Sequence, residues 1–160
     1  MKGNAKLIGI LNDLLADELT AINQYMVHSE MCANWGYDKL HHAIEHQAID
    51  EMHHAESHIG RIIFLEGHPV VSKLNPIQIG KNVKDIVLND LEAESGAIKA
   101  YNNAIRLAVE VGDNASREIL ESILKDEERH LDWGEQQRDQ IEQMGMENYL
   151  AMQMHEGKAS

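Results

Sequence analysis

Four glutamates in this chain fall on the apolar stripes of predicted helices, and they are spaced as two copies of one pattern. The interval from Glu18 to Glu51 equals the interval from Glu94 to Glu127. The second glutamate of each pair is followed at plus three by a histidine, His54 in "EMHH" and His130 in "EERH". Tyr25 and Tyr101 stand equally far beyond the first glutamate of their pair, so the shift that carries Glu18 onto Glu94 lays one half on the other. Residues three, four and seven apart share one face of a helix. On that spacing Leu7, Leu11, Leu14, Glu18, Ile22 and Tyr25 form one stripe, and Val87, Leu91, Glu94, Ile98, Tyr101 and Ile105 another. Ile44, Ala48, Glu51, Ala55, His58 and Ile62 form a third, with His54 beside it; Leu120, Ile123, Leu124, Glu127 and Leu131 form the fourth. An ionised carboxylate on a core-facing stripe is costly unless it is paired or holds a metal. A fold that collects all four carboxylates in one place satisfies the pattern; one that scatters them does not.

Helical periodicity covers almost the whole chain, which is rich in Ala, Leu, Ile, Glu, Gln, Lys and His, with 4% aromatic residues. The predicted helices run from about Asn4 to Asn34, Tyr37 to Leu65, Asn82 to Gly112 and Ala115 to Gln143. Gly36, Gly67 with Pro69, Gly112 and Gly145 supply the stops. Residues 67–81, "GHPVVSKLNPIQIGK", hold both prolines and form the one long connection, and "MENYLAMQM" reads as a short helix lying apart from the rest. The expectation is an all-α, ferritin-like four-helix bundle with one long crossover and a short fifth C-terminal helix. A single domain should span 1–160, with the bundle over about 4–144 and the last helix over about 146–155.

In such a bundle Glu18, Glu51, His54, Glu94, Glu127 and His130 meet at one level. Four carboxylates balance two divalent cations, and hard oxygen donors with one imidazole per ion suit iron or manganese. The competing reading is a structural polar network. One Glu-x-x-His arises easily in a chain with ten histidines; two, each in register with a further core glutamate, do not. Tyr25 and Tyr101 read either as core tyrosines with bonded hydroxyls or as redox or ligand-supporting groups. Met52 lies one step round from Glu51, on an Ile49, Met52, Ile59, Ile63 face that points away from the core and calls for a neighbouring subunit.

The net charge of −13 argues against nucleic acid or an anionic membrane as partner. Cys32 is the single cysteine, which excludes a disulfide framework or thiolate cluster and leaves it the role of a small buried hydrophobe. No run approaches a membrane span and the first residues lack a cleavable leader, so a cytoplasmic protein is expected.

The segments "MKGNAKLIGILNDLLADELTAINQY", "NWG", "IDEMHHA", "RIIFLEGHP", "DEERHLDWGE" and "GMENYL" resemble the bacterioferritin family in place and spacing. That resemblance implies a homo-oligomeric, 24-subunit shell built from dimers, with b-type haem at the twofold interface and a di-iron ferroxidase centre in each subunit. It assigns Glu18, Glu51, His54, Glu94, Glu127 and His130 as iron ligands, with Glu51 and Glu127 bridging, and Met52 from both subunits as the axial haem ligand. His46 and Asp50 match positions that hold iron on the inner cavity surface, and Asn34, Glu66 and Asp132 fit a pore between subunits. The implied activity is oxidation of Fe(II) by O2 or H2O2 and storage of ferric mineral, with a ferredoxin reductant for release and possible co-assembly with a second ferritin subunit. Departures stand at Met26 and Glu45, where aromatics near the haem are expected, and at Gln47, His53 and Ala151. The alternatives are a non-storage peroxidase or catalase on the same bundle and a non-enzymatic haem-binding bundle. A single cysteine leaves no room for the cysteine-rich iron domain of a rubrerythrin.

Overall fold

A computed structural model describes residues 1–154 and contains α1 (Ala5–Asn34), α2 (Asp38–Phe64), α3 (Val83–Glu110), α4 (Asn114–Met144) and α5 (Met146–Gln153). No strand occurs among the described residues. The starts of α1, α3 and α4 follow side-chain caps. Asn4 Oδ1 accepts from Leu7 N at 3.0 Å, Asn82 Oδ1 from Asp85 N at 2.9 Å, and Asp113 Oδ1 from Ser116 N at 3.0 Å. Gly36, Gly112 and Gly145 take positive φ where α1, α3 and α4 end, as the stop signals predict. At the end of α2 the left-handed residue is Glu66, with φ 62°, and not Gly67. Gly67 is required for a different reason: a Cβ there would meet Ile8 Cγ2 at 2.7 Å, so the chain passes against α1 only without a side chain.

Helices α1 and α2 pack as one antiparallel pair and α3 and α4 as the other, with α1 against α3 closing the bundle. Two apolar clusters fill it. Leu7, Leu11, Leu14, Leu15, Ile62, Leu107, Leu120 and Ile123 form one end. Tyr25, Cys32, Leu40, Ile44, Val83, Ile86, Val87 and Tyr149 form the other. Along the bundle the buried glutamates fall between the two clusters, so the carboxylates occupy a polar layer walled on both sides by hydrocarbon. Each fully buried leucine contributes roughly 1.5–3 kcal/mol, and those walls offset the cost of the layer. Cys32 is wholly buried in the second wall, where burial and then the nearby Asp90 push its thiol up to about 12. Tyr149 of α5 is also fully buried there, and its hydroxyl donates to Gln137 Oε1 at 2.7 Å. The fifth helix is therefore docked on the bundle, contrary to the expectation that it lies apart. The last residue of its predicted span, His155, lies outside the described residues.

The crossover runs along α1 and is bonded to it at each turn. Asn75 N donates to Thr20 Oγ1 at 2.8 Å, Gln78 N to Gln24 Oε1 at 3.1 Å, and Gly80 N to His28 Nε2 at 2.9 Å. Accepting from Gly80 fixes the His28 tautomer, so its Nδ1–H donates to Asp90 Oδ1 at 2.8 Å. Gln24, His28 and Asp90 are all buried, and this polar chain ties α1, the crossover and α3 together beside the glutamate layer.

Candidate metal centre

Glu18 on α1, Glu51 and His54 on α2, Glu94 on α3, and Glu127 and His130 on α4 are all buried and meet in the polar layer. Their donor atoms form two sets, each within 4.8 Å: Glu18, Glu51, His54 and Glu127, and Glu51, Glu94, Glu127 and His130. Glu51 and Glu127 belong to both sets. Two adjoining cation positions result, each with one carboxylate and one imidazole of its own and two carboxylates shared. The fit to cations shows in what the protein leaves unsatisfied. Glu18 Oε2, Glu94 Oε2 and Glu127 Oε1 are buried without a hydrogen bond. Glu127 Oε1 does lie 2.9 Å from His54 Nδ1, but off the line a hydrogen bond needs, as expected of two atoms facing a common third. Buried oxygens without donors are costly, and hard divalent cations are what such oxygens accept.

Protons occupy the layer when no ion does. Burial, followed by the charge of Glu51, pushes Glu18 well above the usual carboxylate range. Burial also raises Glu127 well above it, against the pull of the nearby His54 ring. Burial would raise Glu51 too, but its contacts with Glu18, His130 and His54 outweigh it and hold this carboxylate ionised. Burial works to lower both imidazoles. The neighbouring carboxylates of Glu127, Glu18 and Glu51 overcome it at His54, and those of Glu51 and Glu94 lift His130 to about 10. The metal-free layer holds protons beside the Glu51 carboxylate, and cations entering it must displace them.

Both imidazoles turn Nδ1 inward. His54 Nδ1 lies 3.2 Å from Glu51 Oε2, and His130 Nδ1 lies 2.9 Å from Glu51 Oε1. Their outer nitrogens are held by carboxylates: His54 Nε2 is 2.9 Å from Asp126 Oδ2, and His130 Nε2 is 2.8 Å from Asp50 Oδ2. A carboxylate on the outer nitrogen fixes the tautomer and keeps the inner lone pair available to an ion. Asp126 was not among the residues singled out from the sequence, although the shift that carries Glu18 onto Glu94 also carries Asp50 onto it. Asp50, expected on the inner cavity surface with His46, spends an oxygen on His130. His46 is 3.5 Å from that same oxygen, with its own side chain 74% exposed.

The two tyrosines occupy matching places with unequal surroundings. Tyr25 donates to Glu94 Oε1 at 2.5 Å. Tyr101 donates to Glu18 and also lies 2.6 Å from His58 Nε2. His58 fell on the core stripe of α2 without an assigned task. It is fully buried, and burial followed by the charge of His54 drops it to about 3, which keeps the ring neutral.

Met52 is 43% exposed and shares an outward apolar face with Ile49 and Ile63; Met26 and Val27 continue exposed apolar surface on α1. Glu45, His53 and Ala151 are exposed and Gln47 is buried. Of the three residues that fit a pore between subunits, Asn34 ends α1, Glu66 follows α2 and Asp132 lies on α4. A cavity of about 310 Å³ between α1, α3 and the crossover reaches Glu18, Glu94, Glu51 and Glu127, with Asp17 and Glu92 among its lining. Among the described residues no helix is long and apolar enough to cross a membrane.

Four long helices with a single crossover around a buried carboxylate and imidazole layer define a ferritin-like protein whose core carries the donors to hold metal. The ferritin-like domain family matches residues 8–144. Over 152 residues the chain is 42% identical to a bacterioferritin of Rhodobacter capsulatus, covering 95% of this chain and 94% of that one. It is 40% identical to a bacterioferritin of Brucella melitensis over 149 residues, 93% and 92% of the two chains. It is 41% identical to a bacterial ferritin of Synechocystis over 155 residues, 96% and 99% of the two chains. The chain belongs to the bacterioferritin family.

Proposed function

We propose that this protein is an iron-storage ferroxidase that oxidises Fe(II) to Fe(III) in the buried layer and stores the product as ferric mineral inside a 24-subunit shell. Iron is the substrate. The observation that carries the reading is the pair of overlapping donor sets sharing Glu51 and Glu127, with three buried oxygens left without donors. Two substrate ions held side by side supply two electrons together, enough to reduce O2 to H2O2 or H2O2 to water without releasing a one-electron product. Glu18 with His54, and Glu94 with His130, hold one ion each, and Asp126 and Asp50 keep the imidazoles aimed. The protons that leave the layer as iron binds are available to the reduced oxidant. Met52, paired with the same residue of a second subunit, is assigned to b-type haem at a twofold interface, where haem would pass electrons inward for release. A ferredoxin is the reductant class that suits this role.

The test is an anaerobic Fe(II) titration of the assembled protein followed by O2 and read by absorbance, with the Glu18→Ala, Glu127→Ala double variant beside it. Saturation near two irons per chain and rapid oxidation in the wild type, lost in the variant while the shell persists, is the expected result. Unchanged oxidation in the variant would sink the assignment, and rapid H2O2 consumption with no iron retained would move it to a peroxidase or catalase.

A further inference from the structure

A second group of potential ligands lies on the first turns of α2, outside the glutamate layer. His41, His42 and Glu45 each offer one donor atom, and the three atoms lie within 4.8 Å of one another. Helical spacing places Glu45 three and four residues from the two imidazoles, so its carboxylate reaches the patch that both rings border. The rings are 5.0 Å apart between centroids. His41 is the ordered member. Its Nδ1 lies 3.0 Å from the Ser29 carbonyl of α1. A carbonyl only accepts, so Nδ1 carries the hydrogen and Nε2 turns outward as an acceptor. That nitrogen stands 3.6 Å from Glu45 Oε2, too far for a hydrogen bond. An imidazole tied through one nitrogen to a backbone carbonyl, with the other nitrogen facing a carboxylate it does not bond, has the orientation that metal-ligating histidines take.

We propose that His41, His42 and Glu45 form a site for a borderline divalent cation of the zinc class, beside the outward α2 face that carries Met52. Two imidazole nitrogens and one carboxylate oxygen suit zinc, with water completing the coordination. Donors around such an ion stand about 3–3.5 Å apart, given metal–ligand distances of roughly 2.0–2.2 Å. Closing the group from its present spread takes movements of about 1–2 Å at the tips of His42 and Glu45, both exposed side chains. His41 stays fixed and the other two move, so the ion would also pin the start of α2 to α1 through the Ser29 contact. The step from Glu45 to Glu51 is about 9 Å of helix axis, and none of the three ligands belongs to the buried layer.

The probe is Zn2+ alone, with uptake by the assembled full-length protein measured by equilibrium dialysis. The expected result is saturation lower by one zinc per chain in His42→Asn and in Glu45→Gln than in the wild type. The same difference should persist when the comparison is repeated on the Glu18→Ala, Glu127→Ala background, which separates this site from the core. Glu45→Gln changes one exposed carboxylate and so keeps the test independent of any folding defect at the histidine. Equal zinc saturation in the wild type and both variants overturns the site.

Discussion

Asp50 and Asp126 provide a direct test of whether the repeat is a working feature of the site or only a trace of its origin. Replacing either by Asn keeps its shape but removes the charge that holds the outer nitrogen of His130 or His54, at 2.8 and 2.9 Å respectively. Loss of such a partner typically costs about 10–100-fold in metal affinity, or roughly 1.4–2.7 kcal/mol. The two variants should differ within that range. The Asp50 side chain is 19% exposed and is turned to His130, while Asp126 is 35% exposed and shares its charge with Arg129. Asp50→Asn should therefore fall near the upper end and Asp126→Asn near the lower. Anaerobic Fe(II) competition against a chromophoric chelator reads the affinity, and the initial oxidation rate at limiting iron should fall in parallel. A purely inner-surface role for Asp50 makes another pattern: Asp126→Asn behaves as wild type, and Asp50→Asn matches His46→Asn in slowing only the later accumulation of mineral. Affinities of both aspartate variants within twofold of wild type would refute the reasoning.

Met52→Leu preserves the apolar volume but removes the sulfur, so a Soret band present in the wild type should be lost while Fe(II) oxidation at the core continues; a retained band means another ligand. Loading the metal-free protein anaerobically with Fe(II) should release protons, because Glu18 and Glu127 are raised and His54 and His130 hold theirs, the latter up to about 10. The sign follows: cations compete with bound protons, so affinity rises as pH rises over about pH 6–8 and falls with acid. Calorimetry in buffers of different ionisation enthalpy checks this, and binding that is indifferent to pH contradicts it. Tyr101→Phe should destabilise the metal-free protein more than Tyr25→Phe, by about 2–4 against about 1–2 kcal/mol, since it removes two buried hydrogen bonds and strands His58. Thermal unfolding of the two variants compares them, and equal losses would count against the Glu18–Tyr101–His58 chain.

What the sequence made legible was whatever repeats with the period of a helix. The four stripes, the depth of Glu18, Glu51, Glu94 and Glu127, and the plus-three histidines all follow from helical spacing, and the buried residues of each helix agree with it. The crossover has no period, so its path along α1 and the buried Gln24, His28 and Asp90 that hold it could not be read from residue types. Glycine at 67 suggested a left-handed stop, but the close approach of Ile8 is a tertiary constraint invisible along the chain. A short helix with one aromatic gives no local sign of whether it docks, and Tyr149 is buried because α4 offers Gln137 to its hydroxyl. Asp126 was within reach, since the shift that relates the glutamates also carries Asp50 onto it.

The same shift shows where the two halves have parted. It carries His58 onto Gly134 and Leu14 onto Asp90, so the imidazole behind Tyr101 has no counterpart behind Tyr25, and the carboxylate near Tyr25 has none near Tyr101. The space a ring would need at Gly134 is closed, since even a Cβ there would meet Leu91 Cδ2 at 2.8 Å. Glu18 is thus tethered through Tyr101 to a neutral ring whose Nδ1 is buried without a partner. Glu94 is tethered through Tyr25 alone, and burial, then Glu94 and Asp90, raise that phenol well above its usual value. Ligand identity is symmetric across the pair of cation positions, while the surroundings that set proton affinity are not. Two ions bound in this layer would therefore sit in chemically distinct places despite having the same kinds of ligand, and the distinction comes from His58, Gly134 and Asp90, none of which belongs to either donor set.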